Sequence, residues 1–253
     1  MKISIITVVL NDLEGLKKTR GSIVCQDYSG FEWIVCDGGS DHPTVDYLTS
    51  LGDAVTWISE PDGGIYDAMN RGVKMSSGDY VVFMNAGDVF YNDTVLSSVV
   101  SVISNGQDEV DILFGGAMLS FVDTRQVYFR PPRLVEKSLW HGLPANHQAT
   151  YYRRSLLVNN PYDLRYELCG DYYLVARLIS QKASPVYIDS PLSVFEVGGN
   201  SYRMLKKLFS EPYLIQRDVL GESLLWRTVS FLKRAFSTLG FVVLSNLNFG
   251  LKK

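Results

Sequence analysis

Four apolar, β-branched runs in the first 90 residues end in clusters of Asp, Asn, Gly and Ser. The first ends in Asn11-Asp12, the second in Asp37-Gly38-Gly39-Ser40-Asp41. The third is followed by Glu60-Pro61-Asp62-Gly63-Gly64, and the fourth by Asn85-Ala86-Gly87-Asp88. Any one of these loops reads as turn chemistry as readily as a binding site, because Gly, Asn and Asp are the usual turn residues. Together, at one edge of one sheet, they would line a polar crevice. The phosphate-cradling patterns GxGxxG and GxxxxGK[ST] are absent, which disfavours a dinucleotide oxidoreductase and a P-loop nucleotidase. A carboxylate-rich crevice without such a loop suggests a divalent cation, Mg²⁺ or Mn²⁺, bridging protein to a substrate diphosphate.

The elements that position these loops follow a strand–helix rhythm. Strands are expected over Ile3–Val9, Phe31–Cys36, Ala54–Ile58 and Tyr80–Met84. Helices are expected over Asp12–Gln26, with Leu13, Leu16, Ile23 and Val24 on the buried face, and over Pro43–Leu51 and Ile65–Met75. Near-continuous apolar strands alternating with helices predict a parallel sheet covered on both faces. Its loops then gather at the carboxyl ends of the strands, where open α/β folds bind ligands. After residue 110 the pattern is more mixed. Strands are expected at Ile112–Met118, Gln126–Arg130, His147–Tyr152, Val186–Ile188 and Ser193–Val197, with a helix over Gly170–Ser180.

The segments ISIITVVLND (3–12), FEWIVCDGGSD (31–41), SEPDGGIYDAMNRGVKMSSGDYVVFMNAGD (59–88), NHQAT (146–150) and GDYYLVARL (170–178) resemble, in order and spacing, the family-2 glycosyltransferases of the GT-A fold. The most specific of them, SEPDGGIYDAMNRG, is similar to the colanic-acid and exopolysaccharide subgroup. The resemblance covers about the first 200 residues. It implies an α/β, Rossmann-like GT-A catalytic domain over residues 1–203, with a nucleotide-binding half (1–90) and an acceptor-binding half (91–203). It also implies inverting transfer of a sugar, hexosyl or fucosyl, from a UDP- or GDP-sugar donor to an acceptor in bacterial exopolysaccharide synthesis, with Mg²⁺ or Mn²⁺ as cofactor.

Residue by residue, the resemblance assigns the nucleotide and donor to Thr7, Val8, Asp37, Asp62, Asp67, Asn70 and Arg71. Asn85–Asp88 stands at the DxD position, where many relatives have Asp at the first, third and fourth places; this chain has Asn, Gly and Asp. That makes Asp88 the candidate metal ligand, with Asn85 as a possible partner. Asp171 matches the Asp of the family's "ED" motif, the general base that takes the proton of the acceptor hydroxyl. Gly170 stands where the family's first acid is usual. A plainer expectation for Asp171 is the N-cap of a helix over Tyr172–Ser180. His147 and Gln148 match an acceptor-side segment, and Trp140, beside His141, is a candidate stacking surface for the acceptor sugar. His42 reads as solvent-facing.

The formal net charge is −3, yet residues 204–253 hold eight bases against three acids, so the body is acidic and the tail basic. The balance gives no reason to expect a nucleic-acid partner. Hydrophobic residues make up 46%, which excludes a disordered chain. The tail interleaves Arg227, Lys233 and Arg234 with Leu224, Leu225, Val229, Phe231, Leu232, Phe236, Leu239, Phe241, Val242, Val243 and Leu244. Its uncharged stretch Ala235–Leu251 falls short of the roughly 20 apolar residues that span a bilayer. An amphipathic helical segment is expected, either packed on the catalytic domain or lying on anionic lipid. The second fits a lipid-linked oligosaccharide acceptor and a cytoplasmic protein peripheral at the inner face of the bacterial membrane. Cys25, Cys36 and Cys169 form no CxxC pair and read as small buried hydrophobes in a reducing compartment. The N-terminus is not read as a signal peptide. Two other functional classes stay open at this level: a nucleotidyltransferase, which the loop LNDLEGLKK counts against, and a non-catalytic sugar- or nucleotide-binding module.

Overall fold

The computed structural model describes residues 1–106, 109–121, 126–197 and 204–250, with the backbone alone for 126, 197, 205 and 239–250. The side chains of Leu239, Phe241, Val242, Val243 and Leu244, the tail's last apolar residues, and the boundary at residue 203 lie outside the described residues.

The first half is built as expected. Strands β1 (Ile3–Val9), β2 (Phe31–Asp37), β3 (Thr56–Ser59) and β4 (Tyr80–Phe83) are joined by helices α1 (Leu13–Val24), α2 (His42–Ser50) and α3 (Ile65–Met75). They pair in parallel in the order β3-β2-β1-β4. The order reverses between β1 and β4, the switch point at which such sheets leave a crevice. Alternate residues bury on opposite faces: Ile6, Ile34 and Phe83 on one, Ile5, Val35 and Val82 on the other. Both faces are therefore apolar, and the strands read as continuous hydrophobic runs. In α1, Leu16 and Ile23 are buried as expected, but Val24 is exposed because it closes the last turn beyond the buried stripe.

The second half extends the sheet. Strand β5 (Val89–Phe90) and helix α4 (Val95–Asn105), neither expected, lead to β6 (Ile112–Phe121), β7 (Gln126–Arg130), α5 (Val135–Ser138), β8 (Thr150–Arg153), α6 (Arg154–Asn159), α7 (Gly170–Ser180) and β9 (Pro185–Val197). The sheet continues from β4 as β8-β6-β9-β5, with β7 on β6. Three local expectations are corrected. His147–Ala149 is a 3₁₀ turn and the strand starts at Thr150, because Thr150 Oγ1 and Ala149 N both bond back to Asn146 O. The two strands expected between 186 and 197 are one, kept in register with β6 by irregularities at Gly115 and Gly116. Cys25 is exposed.

The tail forms α8 (Leu205–Asp218) and α9 (Leu224–Gly250). Helix α8 is built into the core: Ile215 is fully buried in the cluster that holds Tyr172 and Leu174 of α7. Helix α9 is different. Leu224, Leu225, Trp226, Phe231, Leu232 and Phe236 are exposed along it. Among the described residues, no helix is long and apolar enough to cross a membrane.

Candidate active site

Asp88 closes a turn at the end of β4. Its backbone N–H donates to Asn85 O at 2.9 Å, and Gly87 takes φ +94°, a conformation that glycine adopts without strain. This explains why the acid usual at that place is missing. Buried Thr19 of α1 clasps the turn, its Oγ1 accepting from Gly87 N–H at 3.0 Å and donating to Asp88 O at 2.8 Å. The Asp88 carboxylate accepts from Gln148 Nε2 at 3.0 Å and lies 3.9 Å from His147 Nε2. Burial pushes its pKa up, and the neighbouring imidazole and amide only partly offset this.

His147 links Asp88 to Asp171. Its Nδ1 faces Asp171 Oδ2 at 3.2 Å and its Nε2 faces Asn85 Nδ2 at 3.2 Å. Burial alone would disfavour the imidazolium, but Asp171 and then Asp88 outweigh it, and the pKa is raised. Asp171 lies in the first turn of α7, whose N-cap is Cys169; the expected N-cap role is therefore corrected. With the helix N-terminus behind it, an acid there is electrostatically favoured.

Three further groups hold Asp171 in place, and sequence reading missed two of them. Tyr162 donates its hydroxyl to Asp171 Oδ1 at 3.1 Å. Asn70 clamps Tyr162, accepting from its N–H at 2.8 Å and donating to its carbonyl at 3.0 Å. Asn70 was expected to face the donor; both ends of its amide serve Tyr162 instead. Tyr66 stacks on Tyr162 with ring centres 4.9 Å apart and donates to Leu168 O at 2.9 Å. Nothing in the sequence around Tyr66 or Tyr162 separates these tyrosines from core aromatics.

The remaining predicted residues divide. Asp37 is buried at the end of β2 and accepts from Ser40 N–H at 2.9 Å and Ser59 Oγ at 2.6 Å. Asp62 accepts from Gly64 N–H at 2.8 Å. Asp67 accepts from Gly63 N–H at 3.0 Å and pairs with Arg71 at 2.9 Å, while Arg71 also donates to Pro61 O. These four form a second cluster at the ends of β2 and β3. Thr7 turns its hydroxyl into the core, accepting from Trp33 Nε1 at 2.9 Å, and the Val8 carbonyl is taken by Ala86 N–H. Trp140 lies apart, tilted on His141 and edge-on to Trp226 of α9. It does not line the cavity of about 340 Å³ that holds Asp171, His147, Gln148 and Asn146, with Tyr66 and Arg130.

Residues 4–157 match the family description Glycosyl transferase family 2. This chain belongs to that family. An uncharacterized glycosyltransferase of Mycobacterium tuberculosis is 35% identical over 213 residues, covering 83% of this chain and 80% of that protein. A PGL/p-HBAD biosynthesis glycosyltransferase of Mycobacterium bovis is 29% identical, covering 91% and 89%. Among solved structures, S. aureus TarS in complex with UDP superposes with a TM-score of 0.68 at 18% identity, over 94% of this chain and 72% of that one. The mannosyltransferase PcManGT of Pyrobaculum calidifontis, in complex with GDP-Man and Mn²⁺, gives 0.66 at 15% identity, over 99% and 81%. The fold of this glycosyltransferase is thus GT-A, a mixed α/β sheet flanked by helices.

The glycosyltransferase departs from its family's pattern at both acidic motifs; backbone conformation favours glycine at Gly87, and packing does so at Gly170. A Cβ on Gly170 would stand 2.6 Å from the Tyr66 ring, so no acid fits there while Tyr66 stacks on Tyr162. As for a cation, no group of three His, Cys, Asp or Glu side chains among the described residues is arranged to hold one by itself. The donor set beside Asp88 still suits a hard one. Asn85 Oδ1 and Gln148 Oε1 are buried oxygens without a protein partner, and such ions take one or two carboxylates with the rest from substrate oxygens and water.

Proposed function

We propose that this glycosyltransferase moves a sugar, hexosyl or fucosyl, from a UDP- or GDP-sugar to an acceptor hydroxyl with inversion, Asp171 acting as the base. The observation that carries this is the placement of Asp171: one cavity-lining carboxylate, one oxygen held by Tyr162 and the other by His147, with Asp88 on the far side of the same imidazole. The acceptor oxygen attacks the anomeric carbon and its proton passes to Asp171. The bond from that carbon to the diphosphate oxygen breaks, and the diphosphate leaves with the electron pair. Asp88, with the Asn85 amide oxygen, would hold Mg²⁺ or Mn²⁺ together with the donor diphosphate. A bound cation there supplies positive charge to the leaving group. Asp37, Asp62 and the Asp67–Arg71 pair shape the loops on which the nucleotide would rest.

The acceptor in this reading is a lipid-linked oligosaccharide of bacterial exopolysaccharide synthesis, of the colanic-acid type, and the protein works peripherally at the inner face of the cytoplasmic membrane. The exposed apolar row of α9 supports that placement. Because Ile215 of α8 is part of the catalytic core, the membrane contact is tested without truncation. Leu225→Asp with Phe236→Asp, at positions 70% and 73% exposed, should release the protein from anionic vesicles while it stays folded. Unchanged sedimentation with the vesicles would remove the idea.

For the chemistry, a panel of nucleotide sugars with Mg²⁺ or Mn²⁺ is offered and nucleoside diphosphate release is followed. Asp171→Asn should cut turnover by at least about a hundredfold, the low end for loss of a general base, with donor affinity intact. Near-normal turnover in that variant rules Asp171 out as the base.

A further inference from the structure

A second cavity, of about 380 Å³, adjoins the Asp171 cavity and shares Arg130 and Leu143 with it. Arg130 ends β7, Arg133 and His141 flank α5, and Lys233 and Arg234 come from α9. Four cations thus face one space, and no carboxylate is among the residues that line it. The internal contacts these cations make are with neutral groups. Arg133 Nη2 donates to Leu143 O at 2.7 Å, yet its Nε is buried with no partner. Arg234 Nη2 donates to His141 O at 2.8 Å, and Lys233 Nζ lies 5.5 Å from the Trp140 ring centre.

The crowding has electrostatic consequences. Burial, and after it Arg133, lowers the pKa of Arg130. Burial and then Lys233 hold His141 down to about 4, so it is neutral and adds no fifth charge. Like charges gathered in a partly dry space repel one another unless an anion joins them. Arginine and lysine together are the groups that bind phosphate oxygens.

We propose that this cavity is an anion site that takes the phosphate or diphosphate group of the acceptor, whose sugar end reaches Asp171 past Arg130 and Leu143. The assignment rests on the transferase reading above. It favours the acceptor over the donor because none of Asp37, Asp62 and Asp88, nor any residue before Arg130, lines the cavity. It favours an acceptor over a bilayer headgroup because the cavity shares two walls, Arg130 and Leu143, with the reaction cavity. Helix α9 then serves two purposes, since it exposes apolar residues and supplies two of the four cations.

The test has two parts. Inorganic pyrophosphate is titrated calorimetrically into the full-length protein in metal-free buffer with EDTA, so that a cation-dependent donor site contributes nothing. Arg133→Gln and Lys233→Gln are compared with the parent. Among the described residues Lys233 has no hydrogen-bond partner, so its variant tests the charge even where loss of Arg133 disturbs folding. Each substitution should weaken pyrophosphate at least about tenfold, the cost of one charge-assisted contact. Transfer is then measured to a lipid diphosphate-linked glycan and to the same glycan without diphosphate. In Lys233→Gln the KM for the first should rise severalfold, with no change for the second or in donor hydrolysis without acceptor. Pyrophosphate affinity untouched by both substitutions overturns the site. Loss of binding to phosphatidylglycerol vesicles with KM unchanged overturns the acceptor assignment in favour of a headgroup. Charge-dependent pyrophosphate binding by a protein that turns over no donor leaves the anion site standing and overturns the transferase reading.

Discussion

The Tyr162 hydroxyl donates to Asp171 Oδ1 at 3.1 Å, and Tyr162 is itself fixed at both backbone groups by Asn70 and on its ring face by Tyr66. Burial, and after it the nearby Asp171 charge, pushes the phenol's pKa well above its ordinary value, so it remains a donor. Tyr162→Phe should therefore lower kcat by roughly tenfold or more, the worth of one hydrogen bond to a charged group, with donor KM unchanged. A stability loss with kcat unchanged would reduce Tyr162 to a packing role.

Glu211 of α8 accepts from the backbone N–H of Glu167, Leu168 and Cys169 at 3.1, 3.0 and 2.7 Å, on the loop that enters α7. It is 6% exposed. Glu211→Gln turns an amide donor toward N–H donors that lose their acceptor. The expected cost is about 1–3 kcal/mol, read as a lower midpoint in denaturant at unchanged slope. Turnover should fall with it, since Asp171 sits two residues beyond Cys169.

Restoring the family's acid at residue 170 should harm this protein. Gly170→Ala already places a Cβ 2.6 Å from the Tyr66 ring, an overpacking that costs about 1–3 kcal/mol. The Tm should drop by several degrees, at roughly 2–4 °C per kcal/mol for a domain of this size. Gly170→Glu should fall further and gain no turnover. A Gly170→Glu protein more active than its parent would show that Tyr66 yields.

The His147 imidazole makes stability depend on pH in a definite direction. Its folded pKa is raised, by Asp171 first and Asp88 second, against the opposing effect of burial. A raised value means that its contribution is fully present below the unfolded pKa of about 6.5 and is lost as pH rises through the folded value. In metal-free protein, the stability difference between wild type and His147→Gln should therefore be larger at pH 5.5 than at pH 9. A difference that is flat or grows with pH would contradict the pairing.

Much of the secondary structure was legible because its signals are local. Ile65–Met75 and Gly170–Ser180 coincide with α3 and α7, and the strands of the first half differ from expectation by a residue or two. Period-2 burial and turn residues at strand ends depend on neighbours in sequence, so they can be read there. His147, Gln148, Asp88 and Asp171 were named from motif position, and the fold brings them into one cluster. Trp140 and Asn70 were expected at ligands and serve packing or clamping instead, because a side chain's partner is set by what lies across space.

The order of the strand-end loops, the missing acids at Gly87 and Gly170, and the division between an acidic body and a basic tail were all determined by the sequence alone. Which residues hold Asp171 was decided only by tertiary structure. Tyr162 meets Asn70 across 92 positions, and Glu211 meets Cys169 across 42. The basic cavity is likewise a product of folding, since Arg130 and Arg133 face Lys233 and Arg234 across one space only in the folded chain. Charge composition adds along a chain, but an electrostatic site depends on distance and burial, and those exist only once the chain has closed on itself.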